Sequence, residues 1–348
     1  MKISSRTAVR VDFAGGTLDL YPLYLFMGGC TTINAGIDLY SNVEITTHKD
    51  KVIEIISEDL NEHVLFDSLD DLKMEGATSL IQRVVKSYAP SMGITIKTRN
   101  TAPKGSGLGA SSSLLMALSA ALLKLNGEDL DLTDIIDRGA AIEAAQLRVP
   151  TGKQDYYGAL LGGINAIHFD ENGGRPESIP LPNSFKKEIQ ESLLVSYTGI
   201  SHYSGDNNWD MLKKAVDKTG NTYDLLLKIR DIAFRVRKAL MAHDVEKLGW
   251  LVSQEWNCRK QLSEGISSPF IDNVIEAAAE AGAWGSKLCG AGGGGCMVSI
   301  VPSNKKQQVI KALESKGIEI LPAKLDMEGL VIAEYVSAFC KNPAEDYD

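Results

Sequence analysis

Cysteine is scarce in this 348-residue chain, with five scattered at Cys30, Cys258, Cys289, Cys296 and Cys340. An odd number without a C-x-x-C pair excludes a disulfide framework or a zinc site and fits a reducing compartment. No apolar run approaches the roughly 18 residues of a membrane span. No apolar segment follows the opening M-K-I-S-S-R-T either, so no signal peptide is expected and the protein is placed in the cytoplasm. Basic charge is also short: the net charge of −9 argues against a nucleic-acid or anionic-membrane partner. His48, His63, His168, His202 and His243 show no ligand spacing. Trp209, Trp250, Trp256 and Trp284 read as core or pocket walls rather than a base-stacking platform. Walker A, H-R-D and D-F-G are all missing, which sets aside P-loop and protein-kinase readings.

What is present is enough chain for two domains with buried cores. Strand patterns at Arg6 to Phe13, Thr31 to Ile37, Ser41 to Thr47, Val52 to Ser57, His63 to Phe66 and Gly93 to Arg99 are interspersed with helix patterns. A helix capped by Thr133 is expected to run to Val149, ahead of Pro150. The polar stretch Asp170 to Pro182 reads as a boundary, giving units 1–182 and 183–348. The second unit opens on a strand at Leu193 to Tyr197, continues with long helices and ends on a strand near Leu330. Strands and helices mixed in both halves predict an α+β fold.

The chain is organised around Pro103 to Leu125, where P-K-G-S-G-L-G-A-S-S-S feeds an alanine-rich apolar helix. Gly105, Gly107 and Gly109 let a ligand approach the backbone, and free N–H groups at the helix start favour an anion. A phosphate cradle and a plain serine-capped helix both satisfy this stretch.

A second glycine run, Gly290 to Gly295, is followed by strand-like residues and so is not a dinucleotide fingerprint. It reads as backbone approaching a ligand or another loop, with a hairpin turn as the alternative. Glu143, among Gly139, Ala140, Ala141, Ala144 and Ala145, points either into a crevice or to solvent. Asp155 is either a general base or a turn aspartate. Arg10 and Asp19 flank the pair Gly15-Gly16 and are equally open.

Taken in order, these pieces resemble the galactokinase, homoserine kinase, mevalonate kinase and phosphomevalonate kinase superfamily. The central motif P-x-x-x-G-L-G-S-S-A is matched by Pro103, Gly107, Leu108, Gly109 and Ser111, with Ala110 and Ser112 as departures. R-V-D-F-A-G-G-T-L-D at Arg10 to Asp19 resembles the first motif, and K-L-C-G-A-G-G-G-G at Lys287 to Gly295 the third. Within the superfamily the chain resembles D-glycero-D-manno-heptose 7-phosphate kinases, through A-V-R-V-D-F-A-G-G-T-L-D-L-Y-P and G-K-Q-D-Y-Y-G-A-L-L-G-G-I-N-A-I-H-F. The A-G-G form of the first motif is shared with the fucose-kinase type.

The resemblance implies a ribosomal-protein-S5-like first domain, a ferredoxin-like second domain and a site between them. It implies that Asp155 orients or deprotonates the attacking sugar hydroxyl, with Arg10 nearby. It assigns Mg²⁺ to Ser111 and Glu143, and the ATP phosphates to Pro103, Lys104, Gly105, Ser106, Gly107, Leu108, Gly109, Ala110, Ser111 and Ser112. Asp19, Gly15, Gly16, Gly292 and Gly293 fall on the sugar side. The expected partners are therefore ATP and a sugar or sugar phosphate, with homodimerisation left open. A 7-phosphate needs cations, for which Lys104, Lys153, Arg148, Arg259 and Lys260 qualify by charge alone. His202, in the stretch Tyr197 to Ser204 expected to border the sugar pocket, is not a fixed cation and favours a neutral sugar instead. The rivals are an anomeric kinase of fucose or a related hexose, and a non-enzymatic sugar-sensing relative.

Overall fold

Strand β1 (Lys2–Ala14) alternates in burial at its start and is buried throughout from Thr7 to Ala14, with the polar Thr7, Arg10 and Asp12 enclosed among its apolar residues. It leads through helix α1 (Leu23–Phe26) into β2 (Cys30–His48), its antiparallel partner. The computed structural model describes residues 1–201 and 205–335, the side chains of 205–208 excepted; His202 and Cys340 lie outside the described residues. The two strands expected at 31–37 and 41–47 are one strand. Ala8 pairs with Tyr40 but Val9 pairs with Ile37, so the supposed connection at Asp38 and Leu39 is a bulge inside a continuous ladder.

The chain continues through β3 (Ile53–Ser57), β4 (Glu62–Phe66), α2 (Ser79–Tyr88) and β5 (Gly93–Asn100). Next come α3 (Ala110–Asn126), α4 (Leu132–Leu147) and α5 (Gln154–Leu161), then β6 (Ile164–Asp170) and β7 (Gly173–Ser178). Asp131, not Thr133, caps α4: its carboxylate accepts from the N–H groups of Thr133 and Asp134, and a negative charge suits a helix N-terminus. The helix ends at Leu147, where Arg148 turns left-handed at φ 59°. Part of the stretch read as a boundary is β7, which pairs with β6.

After α6 (Asn183–Ser192) come β8 (Leu193–Tyr197), α7 (Gly205–Val216), α8 (Thr222–Met241), α9 (Val245–Arg259) and α10 (Pro269–Glu280). The described chain finishes with β9 (Gly285–Leu288), β10 (Cys296–Ile300), α11 (Lys306–Glu314), β11 (Glu319–Leu321) and β12 (Val331–Tyr335). One sheet runs β12-β1-β2-β5-β3-β4, with β6 and β7 joined to β2; the other is antiparallel, in the order β11-β8-β10-β9. The closing strand β12 thus returns to β1. This is the α+β architecture expected, with a helix-covered four-stranded antiparallel sheet in the later part of the chain.

Helix α3 is apolar all round because it is enclosed all round: it packs on β1, β2, α2, α4 and α5. On β1, Val9, Val11 and Phe13 belong to a second core shared with α8, α9, β8 and β10. Arg10 and Asp12 alternate with them and face the other way. Trp256 is buried as expected. Trp209 and Trp250 are instead exposed at 54% and 45%, Trp250 beneath the ammonium of Lys247. Cys30, Cys258, Cys289 and Cys296 are free thiols. No helix among the described residues is long and apolar enough to cross a membrane.

Candidate active site

The glycine-rich turn ends at Gly109, which precedes α3 in a left-handed conformation at φ 76° and provides no side-chain cap. The serine-capped alternative therefore falls: Ser111 and Ser112 lie inside the first turn, and the opening N–H groups have no capping side chain. A Cβ at Gly109 would sit 2.9 Å from Asp155 Oδ2. The loop and α5 can approach this closely only because that position carries no side chain.

The second glycine run lies against this turn. Ser106 O accepts from the Cys296 N–H at 2.6 Å, and a Cβ at Gly107 would meet Cys289 O at 2.5 Å. Both readings open for the run are met: it is the loop of the antiparallel β9–β10 hairpin, and it also packs against another loop. Within it Gly292 lines the cleft, whereas the Gly293 N–H is tied to Ile266 O at 2.8 Å.

Three consecutive residues opening α5 each engage a different part of the site. The Gln154 N–H donates to Asp19 Oδ2 at 2.8 Å. Asp155 Oδ1 accepts from Arg10 Nε at 2.8 Å and pairs with its Nη2 at 2.6 Å. The Tyr156 hydroxyl donates to Glu143 Oε2 at 2.5 Å. Arg10 also donates from Nη1 to Gly107 O at 2.7 Å, so one guanidinium joins Asp155 to the glycine turn. Burial opposes the Arg10 charge, but the carboxylates of Asp155 and Asp12 outweigh it and raise its pKa.

Asp19 is buried, and burial lifts its pKa to about 6, with Asp155 adding to the rise against the Gln154 hydrogen bond. Glu143 is raised for the same first reason, opposed by Tyr156, Ser111 and Ser112. Ser112 Oγ lies 3.1 and 3.3 Å from the two Glu143 oxygens. The hydroxyls and carboxylate here form an all-oxygen donor set suited to a hard divalent cation. Among the described residues no group of three or more His, Cys, Asp or Glu could hold a metal by itself. A cation at Ser111 and Glu143 would thus need oxygens from a bound phosphate, which is how Mg²⁺ commonly sits beside nucleotides.

Behind these groups lies an ionic cluster that sequence reasoning missed. Lys287 Nζ is 2.9 Å from Asp12 Oδ2 and 3.1 Å from Glu255 Oε2, with all three side chains fully buried. Arg259 Nε donates to Glu255 Oε1 at 2.8 Å, while its two terminal nitrogens donate to Thr17 Oγ1 at 3.0 Å and Gly16 O at 2.7 Å. Two cations meet two anions, so the cluster is neutral as a whole. Burial raises Asp12, but Lys287 and Arg259 overcome this and hold it below the usual carboxylate range. The available signal was a pair of charged residues, Arg10 and Asp12, inside an apolar strand.

Arg10, Asp19, Gly105, Ser106, Gly107, Gly109, Ala110, Ser111, Ser112, Glu143, Asp155 and Gly292 line one cleft of about 220 Å³. Pro103, Lys104, Leu108, Gly15, Gly16 and Gly293 are not in that lining. Leu108 is buried and its carbonyl receives the Arg10 N–H at 3.0 Å. Gly15 packs so tightly that a Cβ would lie 2.2 Å from Thr31 O. Of the candidate cations, Arg259 is committed to the buried cluster, Lys153 pairs with Asp137, and Lys260 lies 3.3 Å from Asp272. Lys104 and Arg148 are exposed.

Two family models match this chain: the GHMP kinases N terminal domain over residues 77–163 and the GHMP kinases C terminal domain over 236–319. The chain is 28% identical over 321 residues to a D-glycero-alpha-D-manno-heptose 7-phosphate kinase of Campylobacter jejuni, covering 90% of this chain and 94% of that one. It is 26% identical over 319 residues to a bifunctional fucokinase/GDP-fucose pyrophosphorylase of Arabidopsis thaliana, covering 87% of this chain and 30% of that protein. Its fold matches the crystal structure of a D-glycero-D-manno-heptose 1-phosphate kinase from Bacteroides thetaiotaomicron with a TM-score of 0.79. That match has 24% identity and covers 96% of this chain and 100% of the other. With both domain models matched in order on a shared two-sheet fold, the chain belongs to the GHMP kinases, a family of phosphotransferases.

Proposed function

We propose that the protein transfers the γ-phosphoryl group of ATP to the anomeric hydroxyl of a sugar, and that the sugar is D-glycero-D-manno-heptose 7-phosphate, giving the 1,7-bisphosphate. The observation that carries the transfer is the Arg10 bridge: one guanidinium bonds both Asp155 and the Gly107 carbonyl. An acceptor carboxylate is thereby held beside uncapped helix N–H groups that suit phosphates. The Campylobacter relative supports the sugar assignment.

In this reading the turn from Gly105 to Ser112 binds the ATP phosphates through backbone N–H groups. Mg²⁺ held by Ser111 and Glu143 would neutralise phosphate charge. Asp155 accepts a hydrogen bond from the attacking hydroxyl, aligns it and takes its proton as the new P–O bond forms and the bond from the γ-phosphorus to the bridging oxygen breaks, ADP leaving with that electron pair. Arg10 keeps Asp155 in place and offers positive charge to the transferring group. Asp19 accepts from a sugar hydroxyl.

One observation favours a second reading, a kinase of the same mechanism acting on a neutral hexose. Among the described residues lining the cleft, Arg10 is the cation against the carboxylates of Asp19, Glu143 and Asp155. A panel of the heptose 7-phosphate, the free heptose, fucose and related hexoses, coupled to ADP release, separates the two. Turnover of the heptose phosphate at the highest kcat/KM is expected. No turnover of it, with turnover of a free hexose, would overturn the substrate assignment.

A further inference from the structure

We propose that Tyr156 is a positioning residue for Mg²⁺, fixing the orientation of the Glu143 carboxylate from the same helical turn that carries Asp155. This rests on the reading of Glu143 as a Mg²⁺ ligand. The Tyr156 ring is fully buried in the core around α3. Its hydroxyl donates to Glu143 Oε2 at 2.5 Å and lies 3.3 Å from Thr151 Oγ1.

A carboxylate at the end of a glutamate side chain turns about its last torsion with little resistance. A donor on a ring that cannot move takes one lone-pair direction of Oε2 and thereby fixes the plane. Ser112, placed near both oxygens, restricts it further. Glu143 lines the cleft, so the remaining lone pairs stay available on that side. Asp155 and Tyr156 are neighbours on α5, one bonded to Arg10 and the other to Glu143. A shift of that single turn would therefore move the acceptor carboxylate and the metal carboxylate together. Hydrogen-bond partners that orient a metal ligand commonly change metal affinity by roughly 10–100-fold when removed.

The test uses the full chain as wild type, Tyr156→Phe and Glu143→Gln, with Mn²⁺ as a spectroscopic probe and a non-hydrolysable ATP analogue. Analogue affinity without metal, measured on the same samples, reports the folded fraction, so the metal-dependent change is read on folded protein. Tyr156→Phe is expected to bind the metal-free analogue like wild type and to lose about tenfold in Mn²⁺ affinity by electron paramagnetic resonance titration. Half-maximal turnover should then need about tenfold more Mg²⁺. Wild-type Mn²⁺ affinity in Tyr156→Phe, with a loss in Glu143→Gln, would overturn the role of Tyr156 and leave Glu143 as the ligand. Wild-type Mn²⁺ affinity in Glu143→Gln would overturn the metal assignment, and the role of Tyr156 with it.

Discussion

Lys287 on β9 and Asp12 on β1 form an ion pair of 2.9 Å with both side chains at 0% exposure. It links the strand carrying the first motif to the hairpin carrying the glycine run. A buried pair adds little over a well-packed apolar one, but removing one partner strands a charge in the interior. Lys287→Met should therefore lower stability by about 3–5 kcal/mol, read from urea unfolding midpoints. The double variant Lys287→Met/Asp12→Asn should recover part of that loss, because the stranded Asp12 charge is gone. An unchanged midpoint in the single variant would contradict the pairing.

Asp155→Asn keeps the shape of the side chain but weakens it as an acceptor for Arg10 and for a substrate proton. Turnover should fall by about 10²–10⁴-fold with ATP-analogue affinity retained. Wild-type turnover in this variant would remove Asp155 from the proposed mechanism.

Gly109→Ala places a methyl group 2.9 Å from Asp155 Oδ2 at a residue with φ +76°. Gly127, at the other end of α3, has φ +72°, and a methyl group there would meet nothing within 4 Å. Both alanine variants should lose about 1–2 kcal/mol from left-handed strain. Only Gly109→Ala should also lose turnover, because only there does the new group push on Asp155. Equal turnover in the two variants would mean that the contact has no bearing on catalysis.

Asp19 carries a pH signature. Its pKa rises from 3.8 to about 6 on folding, so between those values the folded state holds a proton that the unfolded state has released. Stability from this group is complete below 3.8, falls as pH rises, and is lost above about 6. Asp19→Asn, which does not titrate, should gain up to about 3 kcal/mol over wild type at pH 8 relative to the difference at pH 4. Melting temperatures at the two pH values measure this, and a difference that is the same at both would contradict the shift. The variant should also bind sugar more weakly.

The class of fold, the order of the motifs and the residues that meet in the cleft were readable in the amino-acid sequence. Gly107 was legible because phosphate approach needs bare backbone, whereas Arg10, Ser111, Glu143 and Asp155 were left open by the residues themselves and were picked out only by the resemblance of the three ordered motifs to a known family. Which groups hold these residues in place emerged only with the folded chain. Tyr156 reads as one more aromatic in Q-D-Y-Y until α5 turns it onto Glu143. Lys287 reads as the first residue of the third motif and Arg259 as a candidate cation for a substrate phosphate until β9 and α9 enclose them against Asp12 and Glu255. The bulge in β2 and the Asp131 cap of α4 were obscured for a related reason. Local preference names the residue types that can turn or cap a chain, whereas register and long-range pairing choose among them. Catalytic residue types are limited by the chemistry they perform; their supports are limited only by who sits opposite, and that is settled when distant segments pack.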